Sequence, residues 1–141
     1  FIALVKKLDA YLKVIDGEEH AFYKQFNNID VLKHTVVLLS NKKPVACGAF
    51  KAFNENSVEI KRMYTEPNYR NKGFAKMILN ALELWAKELN YKACILETGK
   101  RQKEAVQFYK KNKYTIIPNF GQYKNVENSI CFIKQLKNEK G

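Results

Sequence analysis

One stretch, Val58 to Leu89, constrains this chain more than any other: VEIKRMYTEPNYRNKGFAKMILNALELWAKEL. Val58, Ile60, Arg62 and Tyr64 alternate with Glu59, Lys61, Met63 and Thr65, which predicts a strand. A turn at Glu66-Pro67-Asn68 leads into the basic segment Arg70-Asn71-Lys72-Gly73-Phe74-Ala75. From about Phe74 to Leu89 the residues Ala75, Ile78, Leu79, Leu82, Trp85, Ala86 and Leu89 recur at helical spacing, and Asn90 is a C-terminal stop. A strand that passes through a glycine-containing basic loop into a helix is suited to holding phosphate. The first N–H groups of the helix lack intrahelical partners, the helix dipole favours negative charge there, and the glycine lets the backbone turn so that N–H groups converge. The loop lacks both G-x-x-x-x-G-K-[ST] and G-x-G-x-x-G. An ordinary basic β–α turn would look the same, so the loop by itself leaves both readings open.

The remaining elements set the context. Phe1 to Leu12 has helical spacing, and Asp16-Gly17 breaks it. Glu18 to Phe26 is predicted as a short second helix with Ala21, Phe22 and Phe26 on one side. Thr35 to Leu39 is β-branched and apolar, a buried strand. Pro44 opens a strand over Val45 to Phe53, and with Val58 to Thr65 this makes an antiparallel meander. Tyr91 to Glu97 is a strand ended by Thr98-Gly99, and Gln102 to Asn112 is a helix. A short extended piece spans Tyr114 to Ile117, a loop covers Asn119 to Asn128, and a last strand covers Ser129 to Leu136. A crossover helix between two strands makes those strands parallel. The expected fold class is therefore α/β: a mixed, mostly antiparallel sheet with a central parallel pair and helices on both faces. Ligands tend to bind at the carboxyl ends of strands in such sheets.

A chain of 141 residues, 46% hydrophobic and 13% aromatic, is enough for one packed domain, here 1–141. No apolar run approaches the ~20 residues of a membrane span. The chain opens on Phe1 within a helix-like run, so its natural start is expected upstream. Cys47, Cys94 and Cys131 each stand in an apolar run without CxxC or Cys/His spacing, as expected of reduced core thiols in a cytoplasmic protein with no metal site. A net charge of +11, from 25 basic and 14 acidic residues, points to a polyanionic partner: nucleic acid, an anionic membrane or a phosphorylated cofactor.

Arg-x-x-Gly-x-Ala, after a strand ending in Thr65-Glu66-Pro67 and before an apolar helix, resembles the acyl-CoA loop of the GNAT superfamily of N-acetyltransferases. There Gln/Arg-x-x-Gly-x-Gly/Ala is usual. Leu96-Glu97-Thr98-Gly99, then Gln102, Ala105 and Phe108-Tyr109, resembles that family's fifth strand and fourth helix. The resemblance covers roughly Thr35 to Leu136, and the family's usual first strand would precede Phe1. Asn71 and Ala75 stand where glycine is common, and Lys113 replaces a usual glycine after the fourth helix.

The resemblance implies a GNAT-like acyl-CoA transferase fold and transfer from acetyl-CoA to a primary amine by direct attack. Acetyl-CoA would lie in a splay between the strands ending at Thr65 and near Glu97. Met63, Tyr64 and Thr65 would meet the pantetheine arm. Arg70, Asn71, Lys72, Gly73, Phe74 and Ala75 would hold the pyrophosphate, and Gln102 would reach the CoA arm. Tyr109 would protonate the leaving sulfur as a phenol of pKa ~10, or pack in the core. Glu59 is the candidate base, with Glu97 second; either could instead be a carboxylate paired with Lys61 or Lys100. Glu19, His20 and Tyr123 are candidates for the acceptor side, a small-molecule or peptide amine. A homodimer is compatible with such a chain. The alternatives are a non-catalytic acyl-CoA-binding module and, less favoured because its basic residues are dispersed, a nucleic-acid-binding domain.

Overall fold

The computed structural model describes residues 34–137 in full and His20–Phe26 as backbone. The helix expected over Phe1 to Leu12, and Glu19, lie outside the described residues. Seven strands, β1 (His20–Phe26), β2 (His34–Ser40), β3 (Lys43–Ala52), β4 (Ser57–Thr65), β5 (Ala93–Gly99), β6 (Thr115–Ile117) and β7 (Ser129–Gln135), form one sheet in the order β1-β2-β3-β4-β5-β7-β6. Helix α1 (Phe74–Glu88) joins β4 to β5, and helix α2 (Lys103–Lys111) joins β5 to β6. β4 and β5 pair parallel from Ser57↔Ala93 to Glu59↔Ile95, as the crossover requires. The pairs β1–β2, β2–β3, β5–β7 and β6–β7 are antiparallel.

Two expectations are corrected. The segment expected as a second helix contains β1, which pairs antiparallel with β2 from His20↔Ser40 to Phe26↔His34. So short a helix is marginal in water, whereas aromatic residues suit a strand, and β2 offers a ladder for the backbone to complete. β1 also supplies a strand ahead of the meander. The second correction is at Thr98-Gly99, which continues β5 rather than ending it: the β7 ladder runs on through Thr98↔Ile130 and Gly99↔Ser129. Tertiary pairing outweighs the weak strand preference of glycine.

The described residues fall into two compact units, one within Phe1–Lys51 and Arg62–Leu82, the other within Ala52–Lys61 and Glu83–Gly141. In the first, β2 is buried from Thr35 to Leu39, as a strand covered on both faces must be. Its neighbour β3 carries Gly48, where a built Cβ would lie 2.7 Å from Ile78 Cγ2 and from Met63 Sδ. Helix α1 therefore approaches β3 so closely that a side chain at position 48 would have to displace its neighbours. In the second unit, Val106 and Tyr109 on α2 join Tyr114, Cys94, Leu96 and Phe132 in the core. The Tyr114 hydroxyl donates to Glu83 at 2.8 Å, and Lys134 donates to the other oxygen of that carboxylate at 2.9 Å.

Both helices end as their sequences predict. At the end of α1, Asn90 takes φ 73, its N–H donates to the Lys87 carbonyl, and the Tyr91 N–H donates to that of Ala86. This is the Schellman closure. Lys113 makes the same closure after α2 at φ 75, with Tyr114 N–H on the Tyr109 carbonyl. A lysine at left-handed φ costs about 1 kcal/mol relative to glycine. Lys113→Gly is thus expected to stabilise the protein by about 1 kcal/mol in urea unfolding; no change in midpoint would contradict this.

Candidate active site

The first unit carries the loop that opens α1. Two left-handed residues, Asn71 (φ 64) and Gly73 (φ 84), flank Lys72. Such turns gather successive N–H groups toward an anion. The Met77 N–H donates to the Gly73 carbonyl at 3.1 Å. The N–H groups of Ala75 and Lys76 precede that bond and have no partner within the helix. No acidic residue stands in the first turn of α1, and no atom approaches within 4 Å of a Cβ built on Gly73. Phe74 is buried and stacks on Tyr69 at 6.3 Å, while Arg70, Asn71, Lys72 and Gly73 are exposed and Ala75 is half-buried. The Arg70 Nε donates to the Thr65 carbonyl at 2.9 Å and its guanidinium lies over the Tyr64 ring. One backbone group expected to meet the pantetheine arm is therefore already engaged by the loop. Open space, converging donors and positive charge together fit a pyrophosphate.

Just upstream, Arg62 has φ 58 within β4. Left-handed backbone in a strand interior is uncommon for a residue with a Cβ, and strain of this kind clusters at functional segments. The Cys47 thiol donates to the Arg62 carbonyl at 3.6 Å. The alternation read along Val58 to Tyr64 gave no sign of this interruption.

The second unit brings Glu59, Lys61 and Tyr123 together. Glu59 is 4% exposed, and its Oε2 accepts from the Lys61 ammonium at 3.4 Å and from the Tyr123 hydroxyl at 3.3 Å. Lys61 also donates to the Tyr123 oxygen at 3.4 Å. Burial works against the Lys61 charge, but the Glu59 carboxylate and the Tyr123 hydroxyl outweigh it and raise the ammonium's pKa. Asn119 Nδ2 donates to the Tyr123 and Val126 carbonyls and fixes the loop that delivers Tyr123. Phe53 meets Phe120 edge-on at 5.2 Å, and Phe120 meets Tyr123 at 5.6 Å. Lys61, Phe53 and Phe120 were not singled out as site residues from sequence; an aromatic pair beside Gly121 in a loop was the available signal. Glu97, the second candidate base, does not face Lys100: its Oε2 accepts from the Ser129 hydroxyl at 2.6 Å.

Tyr109 sits among Phe108, Tyr114 and Phe132, with ring centroids 5.2 to 6.0 Å away. Burial pushes its phenol up to about 12, which corrects the expectation of an ordinary phenol. Gln102 is exposed before α2 and makes no side-chain capping bond. His20 lies on β1 opposite Ser40, so this candidate acceptor residue, expected on a helix, belongs to a strand. A pocket of about 490 Å³, lined in part by Lys100, Asn119, Lys124 and Ser129, includes neither Glu59 nor Tyr109. Among the described residues no group of three His, Cys, Asp or Glu could hold a metal, and no helix is long and apolar enough to cross a membrane.

The buried phenol has a consequence at high pH. With its pKa raised to about 12, folded Tyr109 keeps a proton that the unfolded chain releases near pH 10. Its stabilising contribution is complete below pH ~10 and is lost as pH rises to about 12. A shift of this size corresponds to roughly 2–3 kcal/mol. Tyr109→Phe should therefore unfold at higher pH than the parent once each is compared with its own stability at pH 8; an unchanged alkaline midpoint would contradict this.

Comparison with known proteins supplies the wider setting. A model of the acetyltransferase (GNAT) family matches residues 3–114. The chain is 31% identical over 80 residues to the IAA acetyltransferase of Azospirillum brasilense, covering 56% of this chain and 52% of that protein. It therefore spans about half the length of that curated relative. A solved structure described as an acyl-CoA N-acyltransferase from Klebsiella pneumoniae superposes with a TM-score of 0.74 at 28% identity, covering 97% of this chain and 90% of that one. A GNAT family acetyltransferase from Elizabethkingia anophelis with acetyl-CoA bound shares the fold, with a TM-score of 0.70 at 15% identity over 83% of this chain and 98% of that one.

Proposed function

Because this chain belongs to the acetyltransferase (GNAT) family, we propose that it acts as one domain over residues 1–141 and transfers an acetyl group from acetyl-CoA to a primary amine by direct attack. The observation that carries this is the loop at the start of α1. Its left-handed Asn71 and Gly73, the N–H groups of Ala75 and Lys76, and the open space at Gly73 suit a pyrophosphate. Acetyl-CoA supplies the acyl group as a thioester. Arg70 and Lys72 add positive charge at the phosphates, Met63 to Thr65 offer backbone groups to the pantetheine, and Gln102 offers an amide to the same arm.

Glu59 accepts a proton from the acceptor ammonium, since only the neutral amine has a lone pair for attack. The amine nitrogen then bonds to the thioester carbon, the C–S bond breaks with its electron pair on sulfur, and the proton that the nitrogen sheds on becoming an amide completes the thiol. Tyr109, protonated throughout the neutral range, donates a hydrogen bond to that sulfur. A thiol of pKa ~8.5 holds its proton less tightly than a phenol near 12, so Tyr109 stabilises the developing charge rather than surrendering its proton. Three free cysteines support a cytoplasmic setting.

Acetyl-CoA at concentrations above its Kd is expected to raise the melting temperature. Thiol release should then appear with members of an amine panel. A thermal shift without thiol release from any amine would instead support a non-catalytic acyl-CoA-binding module. A shift with RNA or DNA and none with acetyl-CoA would overturn both readings.

A further inference from the structure

The residues around Glu59 narrow the acceptor. Glu59 does not await a cation: its Oε2 already holds the Lys61 ammonium at 3.4 Å, with side-chain exposures of 24% for the lysine and 6% for the glutamate. An acceptor ammonium arriving at the same oxygen brings a second positive charge to a single carboxylate. Lys61 must then lose its counter-ion in a half-buried place, which is costly unless the acceptor supplies another. An acceptor that carries its own carboxylate near its amine solves this pair for pair: its ammonium takes Glu59 and its carboxylate takes Lys61.

Beside this pair lies a partly open aromatic surface. Phe53 is 42% exposed, Phe120 and Tyr123 are half-buried, and the rings meet edge-on at 5.2 and 5.6 Å. Lys61 Nζ stands 6.0 Å from the centre of the Tyr123 ring, so the ion pair and the aromatic surface adjoin. Gly121, at φ 52, follows Phe120 and lies against Phe53, where a built Cβ would be 3.6 Å from Cε1. All these residues belong to the second compact unit.

Resting on the N-acetyltransferase reading, we infer that the acceptor is an α-amino acid with a hydrophobic or aromatic side chain, its ammonium held by Glu59, its carboxylate by Lys61 and its side chain by Phe53, Phe120 and Tyr123. Its nitrogen forms the new C–N bond as the C–S bond of the thioester breaks. The products are an N-acetyl amino acid and free CoA thiol, and no further reactant is needed. Monoamines, polyamines and aminosugars lack the carboxylate and are disfavoured by the same geometry.

Thiol release with phenylalanine, phenylalaninamide, phenethylamine and glycine tests this on the unaltered chain. Phenylalanine is expected to exceed each of the other three in kcat/KM by about tenfold or more. Lys61→Gln should bring phenylalanine and phenethylamine to within about threefold of each other while KM for acetyl-CoA stays in place, and Lys61→Arg should keep the preference. Equal or better use of phenethylamine by the unaltered chain would overturn the carboxylate assignment. Equal use of glycine would overturn the aromatic one. If a broad amine panel gives no thiol release, the N-acetyltransferase reading itself fails and the inference falls with it.

Discussion

Glu59→Gln is expected to lower kcat for amine acetylation by about 10²- to 10³-fold, the usual contribution of a positioned general base. The substitution keeps the shape of the side chain, and the amide oxygen can still accept from Tyr123 and Lys61, whose donors now stand 3.3 and 3.4 Å from Oε2. What it removes is the ability to take a proton. KM for acetyl-CoA should change by less than about twofold, because the groups proposed for the donor are others. Lys61 also loses the carboxylate that raises its pKa but keeps the amide oxygen and the Tyr123 hydroxyl as acceptors, so the fold should survive at some cost in stability. The variant should recover activity as pH rises toward the acceptor's own pKa, where neutral amine forms unaided. A loss below about tenfold, with an unaltered pH profile, would show that Glu59 holds Lys61 and Tyr123 in position and is not the base.

The second large effect is expected at Gly48. A methyl group there would lie 2.7 Å from Ile78 Cγ2 and Met63 Sδ and 2.9 Å from Leu82 Cδ1, closer than real Cβ contacts. Leu82 and Met63 can turn aside, but Ile78 Cγ2 is fixed to a branched Cβ, so Gly48→Ala displaces these side chains and strains α1, at roughly 1–3 kcal/mol. Gly48→Val adds two more carbons at the same point and should lower Tm by about 5–10 °C or more. Met63 is one of the displaced groups, so Gly48→Ala should also raise KM for acetyl-CoA. Met63→Ala should return part of the lost stability in the Gly48→Ala background, a coupling that a double-mutant cycle reads directly. Independent, additive losses at positions 48 and 63 would contradict the close contact.

Much of this was legible in the sequence because it is local. The stretch from β4 through the loop to α1 announces itself by two periodicities and a glycine, and Asn90 marks its own helix stop. The resemblance led from the same residues to the family that the match over residues 3–114 then established. What was missed depends on distant partners. β1 is a strand because β2 lies beside it, and Gly99 stays in β5 because Ser129 is its ladder partner. Tyr123 reaches Glu59 across 64 positions of chain, which no local pattern encodes. Burial altered chemistry as well as placement: Tyr109 was an ordinary phenol on paper and is a much weaker acid in its aromatic surroundings.

The path of the chain through the two compact units bears on any attempt to divide the protein. The chain leaves the first unit after Lys51, returns at Arg62 and departs again after Leu82, so β4 and α1 each contribute to both. A cut after Leu82 keeps every residue of the first unit but parts Ala52–Lys61 from the rest of the second. Glu83–Gly141 alone therefore lacks the β4 residues Ser57 to Glu59 that pair with β5. A cut in the short turn between β3 and β4 instead separates Arg62–Leu82 from the rest of the first unit, so those two fragments should regain structure only when mixed.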